Sequence, residues 1–399
     1  YKDEDSIASE FDDCTTGGSP VYATFDAPCY LQYSFADNVP LETQRSIINT
    51  LNMFVPGNAN FKAYGEQSFF GEVSYAVNDQ WEVLAGVRAA TVNFDLDIGQ
   101  PASNSSENPT ISEANETKMV SPKVTVTWRP KTDWMIYGTF SHGFRPGIIN
   151  NSLVARIAEL EPLIATDPIA KGHYDRLDDL RLVDGDEAIN IELGIKATVL
   201  DGRLSFTGAL YDIEWKDTII GVTDVIDDVV GVTPFTFTAN HNSGGAESQG
   251  MEYEIRAKLN DNLSLNLGGD FNWTARINAA GAGRYQGVDI TPGNRLANAP
   301  KHSAYASLVY DFTLGGNTAS IRGDAYKVAE SWNTANNERP APAYTTLDVK
   351  LLVYRGDWRF AAYVRNLTDE VIVYEFNQVG FRFGRPRTFG LEATYTPGA

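Results

Sequence analysis

The most constraining feature of this chain is the alternation of short and long connections between segments of period two. Short polar turns stand at "VNDQ" (77–80), "RPKTD" (129–133), "LDG" (200–202), "NDN" (260–262), "LGGN" (314–317) and "RGD" (355–357). Long polar connections lie between them, roughly at 6–60, 95–117, 147–186, 221–247, 276–298, 328–342 and 373–385. Six short turns and seven long connections join fourteen strands, each pairing with its neighbours in sequence. An antiparallel meander of that size has to curl, and its edges invite aggregation, so closure into a barrel is the expected solution.

The strands themselves read clearly. In "AINIELGIKATV" one face carries Ile189, Ile191, Leu193, Ile195, Ala197 and Val199, and the other carries Asn190, Glu192, Gly194, Lys196 and Thr198. "MEYEIRAKL", "LSLNLGGDFNW", "VSPKVTVTW", "TLDVKLLVY", "WRFAAYV" and "TFGLEATY" repeat the pattern at lengths near ten, without the 3.6-residue period of a core helix. The polar faces hold too many Glu, Lys, Arg, Asp and Asn for a dry core. They therefore line a wet or plugged lumen, while the apolar faces meet lipid. Strands of about ten alternating residues, with tight turns at one end and long loops at the other, are the signature of an outer-membrane barrel. Trp81, Trp128, Trp134 and Trp358 each sit beside a short turn, where an aromatic girdle belongs.

Composition agrees and narrows the functions. Tyr (19), Phe (20) and Gly (34) are plentiful while Met (4) is scarce, a strand-favouring balance. No run of 18 or more apolar residues forms a transmembrane helix. The formal charge of −20 argues against nucleic acid as a partner. The acidic runs at Lys2–Asp13 and Asp175–Glu187 read as solvated loop surface, with divalent-cation binding as the alternative. Cys14 and Cys29 stand alone, fifteen positions apart, which suggests one loop disulfide and an oxidising compartment; two free thiols are the other reading. The four histidines are scattered, so no metal site is expected, and no cofactor motif is present. Carboxylate pairs such as Glu252/Glu254 and Asp184/Asp186 are too common among 52 acids to indicate an enzyme.

Two stretches of the long connections have helical spacing, "PLETQRSIINTLNMF" and "SLVARIAEL", the second capped by Ser152 and ended by Pro162. They read as packing elements. In "SHGFRPGIIN" the alternation puts His142 and Arg145 on opposite faces, so the pair is no catalytic dyad. Pro146 and Gly147 mark the point where the strand leaves the membrane zone.

Several motifs carry a family likeness. "YGTFSHGFRPGIIN" resembles a Tyr-x-x-(Tyr/Phe)-Ser-x-Gly-Phe-(Arg/Lys)-x-Gly segment, and "INIELGIKATVLDGRLSFTGALYDIEWKD" a Glu-x-Gly-x-Lys strand turning through Asp-Gly-Arg. "NSGGAESQGMEYEI", "NAPKHSAYASLVY", "RNLTDE" and "GRPRTFGLEATY" follow in the same order. Together, over residues 61 to 395, they resemble the carboxy-terminal part of the barrel of TonB-dependent outer-membrane receptors.

That resemblance implies a 22-stranded, up-and-down transmembrane β-barrel with long extracellular loops and short periplasmic turns. It implies an amino-terminal plug and import of a scarce nutrient, a siderophore-like iron chelate, with energy passed by TonB of the inner membrane. Residues 1–399 correspond to about fourteen strands, so the plug and the first strands are expected to lie outside this chain. The chain opens on "YKDEDS" rather than Met, and Tyr395 is followed by "TPGA" where the family ends on an aromatic residue. The expected partners are outer-membrane lipid and lipopolysaccharide, TonB and a small-molecule ligand. A different class of function, a passive channel or structural barrel, fits the strand pattern equally. Tyr211, Trp215, Arg276, Arg284, Trp332, Tyr374 and Arg382 fall at the loop ends of strands and are the candidate ligand contacts. Aromatic faces supply contact area there, and arginines grip carboxylates or catecholates.

Overall fold

A computed structural model of the chain describes residues 4–8, 59–99, 110–242, 244–278, 284–285, 288–377 and 380–397. Cys14, Cys29 and the helical pattern in 40–54 lie outside the described residues.

Among the described residues, fourteen strands form one antiparallel sheet in sequence order. They are β1 (Glu4–Ala8), β2 (Ala59–Ala76), β3 (Trp81–Gly99), β4 (Thr110–Lys131), β5 (Trp134–Arg145), β6 (Asp186–Val199) and β7 (Leu204–Lys216). The second half comprises β8 (Gly245–Lys258), β9 (Leu263–Ile277), β10 (His302–Leu314), β11 (Asn317–Val328), β12 (Tyr344–Arg355), β13 (Trp358–Arg365) and β14 (Thr388–Tyr395). The two ends, β1 and β14, are not paired to each other among the described residues. All six predicted short turns join neighbouring strands at one end of the sheet. Local chemistry makes them: Gly315 and Gly316 both take positive φ between the paired Leu314 and Asn317, as a two-residue hairpin loop requires. At the first turn Asn78 Oδ1 accepts from the Gln80 and Trp81 amides at 2.9 Å.

Register carries the two faces across the sheet. On one, Ile191 and Leu193 of β6 lie beside Leu210 of β7, with Leu308, Ile321, Leu347, Phe360 and Leu391 further round. Ile191 and Leu193 are 57% and 56% exposed, far too apolar a wall to face water. Near the turns this face carries ring pairs: Trp81 stacks on Trp128 at 5.7 Å, Trp134 meets Phe206 edge-on at 5.7 Å, and Trp358 lies 5.1 Å from Tyr395. These are the girdle positions expected of the four tryptophans.

The opposite, inner face is polar and internally bonded. Tyr137 Oη donates to Glu192 Oε1 at 2.5 Å, Thr125 and Thr139 hydroxyls meet at 3.1 Å, and Arg322 Nε donates to both oxygens of Asp324 at 2.8 Å. Inward tyrosines lie flat across the strand joints. Tyr137 pairs with Gly194, Tyr211 with Gly250, Tyr305 with Gly268 and Tyr363 with Gly390, and a Cβ on any of these glycines would overlap the facing ring. Glycine is required there by the close approach of the ring, not by its φ.

Some boundaries differ from the sequence reading. β2, β3 and β4 run for 18, 19 and 22 residues, about twice what a tilted strand needs to span a bilayer. The connection read at 95–117 is therefore mostly strand. Its "TISEANETK" has no apolar alternation because it stands beyond the lipid, yet its backbone pairing continues. The acidic run at Asp175–Glu187 is also not plain solvated loop: of the two helices that follow β5, α1 (Asn151–Leu160) and α2 (Pro168–Arg181), the second takes its first part, and Asp186 is 1% exposed.

Candidate functional site

The rim at the loop-bearing end is where the chemistry gathers. It is built from β5, β6 and β7, whose inward residues meet across the register: Arg145 lies opposite Asp186, and Gly143, Ala188 and Trp215 form the next row. Arg145 donates from Nε to Asp186 Oδ1 at 2.9 Å and from Nη2 to Oδ2. Its guanidinium carbon stands 4.5 Å above the Trp215 ring. Asp186 Oδ2 also accepts from the Ile219 amide at 3.0 Å, so the buried carboxylate is satisfied by three donors. Half of the Arg145 side chain stays exposed beside the Trp215 face. That surface can take a ligand carrying negative charge and flat rings, by charge-assisted hydrogen bonding and stacking.

His142 faces outward, as the alternation required, with Nδ1 3.1 Å from the Val120 carbonyl and Nε2 3.2 Å from Glu187. Among the described residues no group of three or more His, Cys, Asp or Glu could hold a metal ion.

The other candidate contacts are distributed around the rim. Tyr211 lies on the inner face of the same strand, two inward positions below Trp215, flat over Gly250. Trp332 is half-buried in a short pairing of Ser331–Trp332 with Pro340–Ala341, and its carbonyl accepts from the Asn298 amide at 2.7 Å. Tyr374 is exposed, meets Tyr344 edge-on at 6.1 Å, and gives its carbonyl to Asn333 Nδ2 at 3.1 Å. Arg382 is exposed on a hairpin of Val373–Asn377 with Gly380–Phe383. For Arg284 the described backbone forms a two-residue strand with Tyr285, next to Thr223. Tyr211 and Trp215 therefore share one strand face four residues apart, Trp332 and Tyr374 adjoin through Asn333, and Arg276 belongs to neither place.

Arg276 is displaced by a bulge. Gly250 pairs with Asn272 and Gln249 with Thr274, so Trp273 is the extra residue of β9. Beyond it the alternation is inverted: Arg276 points to the outer face with Glu247, its ion-pair partner, while Ala275 and Ile277 turn inward, opposite Ser248 and Ala246. Period two alone places Arg276 on the inner face; one inserted residue moves it through the wall.

Sequence reading missed Arg145 with Asp186 as the organising pair, and it missed Arg295. Arg295 donates to the carbonyls of Ala299 at 2.6 Å, Asn272 at 2.8 Å and Pro300 at 3.0 Å. Burial pushes its guanidinium below the usual arginine range. With Nε and Nη2 bonded to backbone carbonyls, Arg295 shapes the loop before β10.

Comparison with known proteins gives a consistent picture. The family model described as TonB dependent receptor-like, beta-barrel, matches residues 15–367. The metal-pseudopaline receptor CntO of Pseudomonas aeruginosa is 24% identical over 323 residues, covering 79% of this chain and 39% of the relative. Among solved structures, the ferric yersiniabactin uptake receptor FyuA from Yersinia pestis is 15% identical with a TM-score of 0.62, covering 84% of this chain and 46% of that one. The siderophore receptor PiuA from Acinetobacter baumannii, also 15% identical, has a TM-score of 0.62 and covers 84% of this chain and 43% of that one. The chain spans less than half the length of these relatives.

Proposed function

Since the chain belongs to the TonB dependent receptor-like β-barrel family of outer-membrane proteins, we propose that it is the barrel portion of a receptor importing a scarce nutrient, most simply a siderophore-like metal chelate, by TonB-energised uptake. The relatives bearing on this are named as receptors: one for metal-pseudopaline, one for ferric yersiniabactin and one a siderophore receptor. The observation that carries the ligand class is the rim pair of Arg145 and Trp215, with Tyr211 deeper on the same strand face. A half-exposed guanidinium on an indole face suits a ligand that is anionic and partly aromatic, as metal chelators of the carboxylate and phenolate kinds are. Trp332, Tyr374 and Arg382 supply the same chemistry from the later loops.

In this reading the inner face seals against a plug, which couples to TonB, and the outer face contacts lipid and the lipopolysaccharide leaflet. Both partners would bind through parts of a longer receptor. The test is growth and radiolabelled uptake in a deletion strain of the source bacterium under metal limitation, against a panel of ferric, nickel, cobalt and zinc chelates. Loss of uptake of one chelate, restored by the intact gene and not by one lacking the TonB-contacting segment, is the expected result. Unchanged uptake across the panel would overturn the import reading in favour of a passive or structural barrel.

A further inference from the structure

The long connections after β5 and β7 have a core of their own. Helix α1 (Asn151–Leu160), a short 3-10 turn at Glu161–Leu163 and α2 fill the first; a hairpin of Ile219–Ile226 with Phe235–Asn242 fills the second. Leu153, Ile157 and Leu160 of α1 and Leu177 of α2 are buried with Val222, Ile226, Phe235 and Phe237 of the hairpin. The seam is polar as well as apolar. Asn150 Nδ2 donates to the carbonyls of Leu180 (2.6 Å) and Asn240 (2.8 Å), and its Oδ1 accepts from the Asn240 amide at 2.9 Å. Asn242 Nδ2 bonds the carbonyls of both Asp184 (3.1 Å) and Asp217 (2.8 Å), the points where each connection meets the barrel. Arg176 pairs with Asp224, and His173 Nε2 meets Asp228 at 2.6 Å.

This unit is seated on the inner wall. On β3 and β4 the inward residues are those in register with Thr125, and they include Leu96, Glu113, Asn115 and Thr117. Leu96 packs against Ile149, Glu113 pairs with Arg181, Asn115 Nδ2 donates to the Val183 carbonyl at 3.0 Å, and Thr117 Oγ1 accepts from the Gly147 amide at 2.9 Å. From the other side Ile277, turned inward by the Trp273 bulge and 0% exposed, enters the same core. The last long connection, 366–387, is different: among its described residues only Asn366 and Ile372 are buried, and Phe381 and Phe383 are exposed.

From this packing we infer that connections 146–185 and 217–244 form one rigid roof fixed to the inner wall over the β3–β9 side of the mouth. Two loops that share one hydrophobic core and reciprocal side-chain-to-backbone bonds cannot part without exposing both, so they open together or not at all. The inference rests on the receptor reading only for its meaning in uptake; the rigidity is a property of the packing.

The test is hydrogen exchange on the full-length receptor in detergent or nanodiscs, with Phe237→Ala as the perturbation. Removing this ring from the shared core should raise exchange by about 100-fold or more, and by the same factor, in the hairpin and in residues 151–181. Faster exchange in the hairpin alone would overturn the inference. If Phe237→Ala fails to assemble, spin-label distances replace it. A pair at Ala158→Cys and Thr236→Cys should give one narrow distribution. Two maxima or a broad distribution for this pair would also overturn it. Neither readout requires a transported ligand, so a failed uptake assay and a failed roof are separate results.

Discussion

Arg145 and Asp186 face each other across the β5–β6 joint and together hold both backbone groups of Ile219: the Asp186 carboxylate accepts its amide at 3.0 Å, and Arg145 Nη2 reaches its carbonyl at 3.4 Å. Ile219 is the first residue of the roof hairpin, so one ion pair ties the barrel rim to the loops. Replacing Asp186 with Ala leaves the Ile219 amide unpaired and frees Arg145 to solvent. The expected cost is about 1–3 kcal/mol, local to the base of the hairpin. Hydrogen exchange at 219–226 measures it, and Asp186→Asn should recover part of the loss by keeping an acceptor. Unchanged exchange in Asp186→Ala would remove the pair from this role.

The membrane-facing assignment makes a directional prediction. Leu193 is outward near mid-strand, whereas Asn266 faces the lumen. Leu193→Arg should destabilise the folded barrel by about 2–4 kcal/mol, and Asn266→Arg by much less. Urea titration in lipid vesicles, followed by the mobility shift of folded against unfolded protein, compares them; equal tolerance would reverse the faces.

The tyrosine–glycine joints predict an overpacking effect. Gly194→Ala puts a methyl group into the Tyr137 ring and should cost about 1–3 kcal/mol, although alanine suits a strand better than glycine. Combining it with Tyr137→Ala should relieve the clash, giving a coupling energy in a double-mutant cycle. The same titration reads it, and additive effects would show that the ring moves aside freely.

For the two cysteines, nonreducing peptide mapping of protein isolated from the cell envelope should link Cys14 to Cys29. Quantitative alkylation of both without reductant would show free thiols instead.

Much of the architecture was legible because it is written locally. Strand direction at "RPKTD" or "LGGN", the outward Leu193 and the inward Glu192 follow from turn chemistry and from the two-residue repeat of an extended backbone, which need no knowledge of distant residues. Helix α2 has a local start signal too: Asp167 and Pro168 form a standard start, with Asp167 Oδ1 accepting from Ile169 at 2.8 Å and Ala170 at 3.3 Å, but the acidic run that follows reads as solvent-exposed loop. The helix exists because Ala170 and Leu177 have the roof core to enter.

What the sequence by itself determined is the antiparallel order of the strands, the end of the sheet that carries the loops and the face that meets lipid, since each depends on neighbours one to ten residues away. The tertiary structure decided the rest. Whether Arg276 faces lumen or outer wall turns on a bulge recognisable only by pairing β9 with β8. Whether Asp186 is a surface acid or the buried anchor of the rim turns on Arg145, 41 positions earlier, and on Ile219, 33 positions later. Such contacts are selected by burial and hydrogen-bond satisfaction between remote segments, and no local period encodes them.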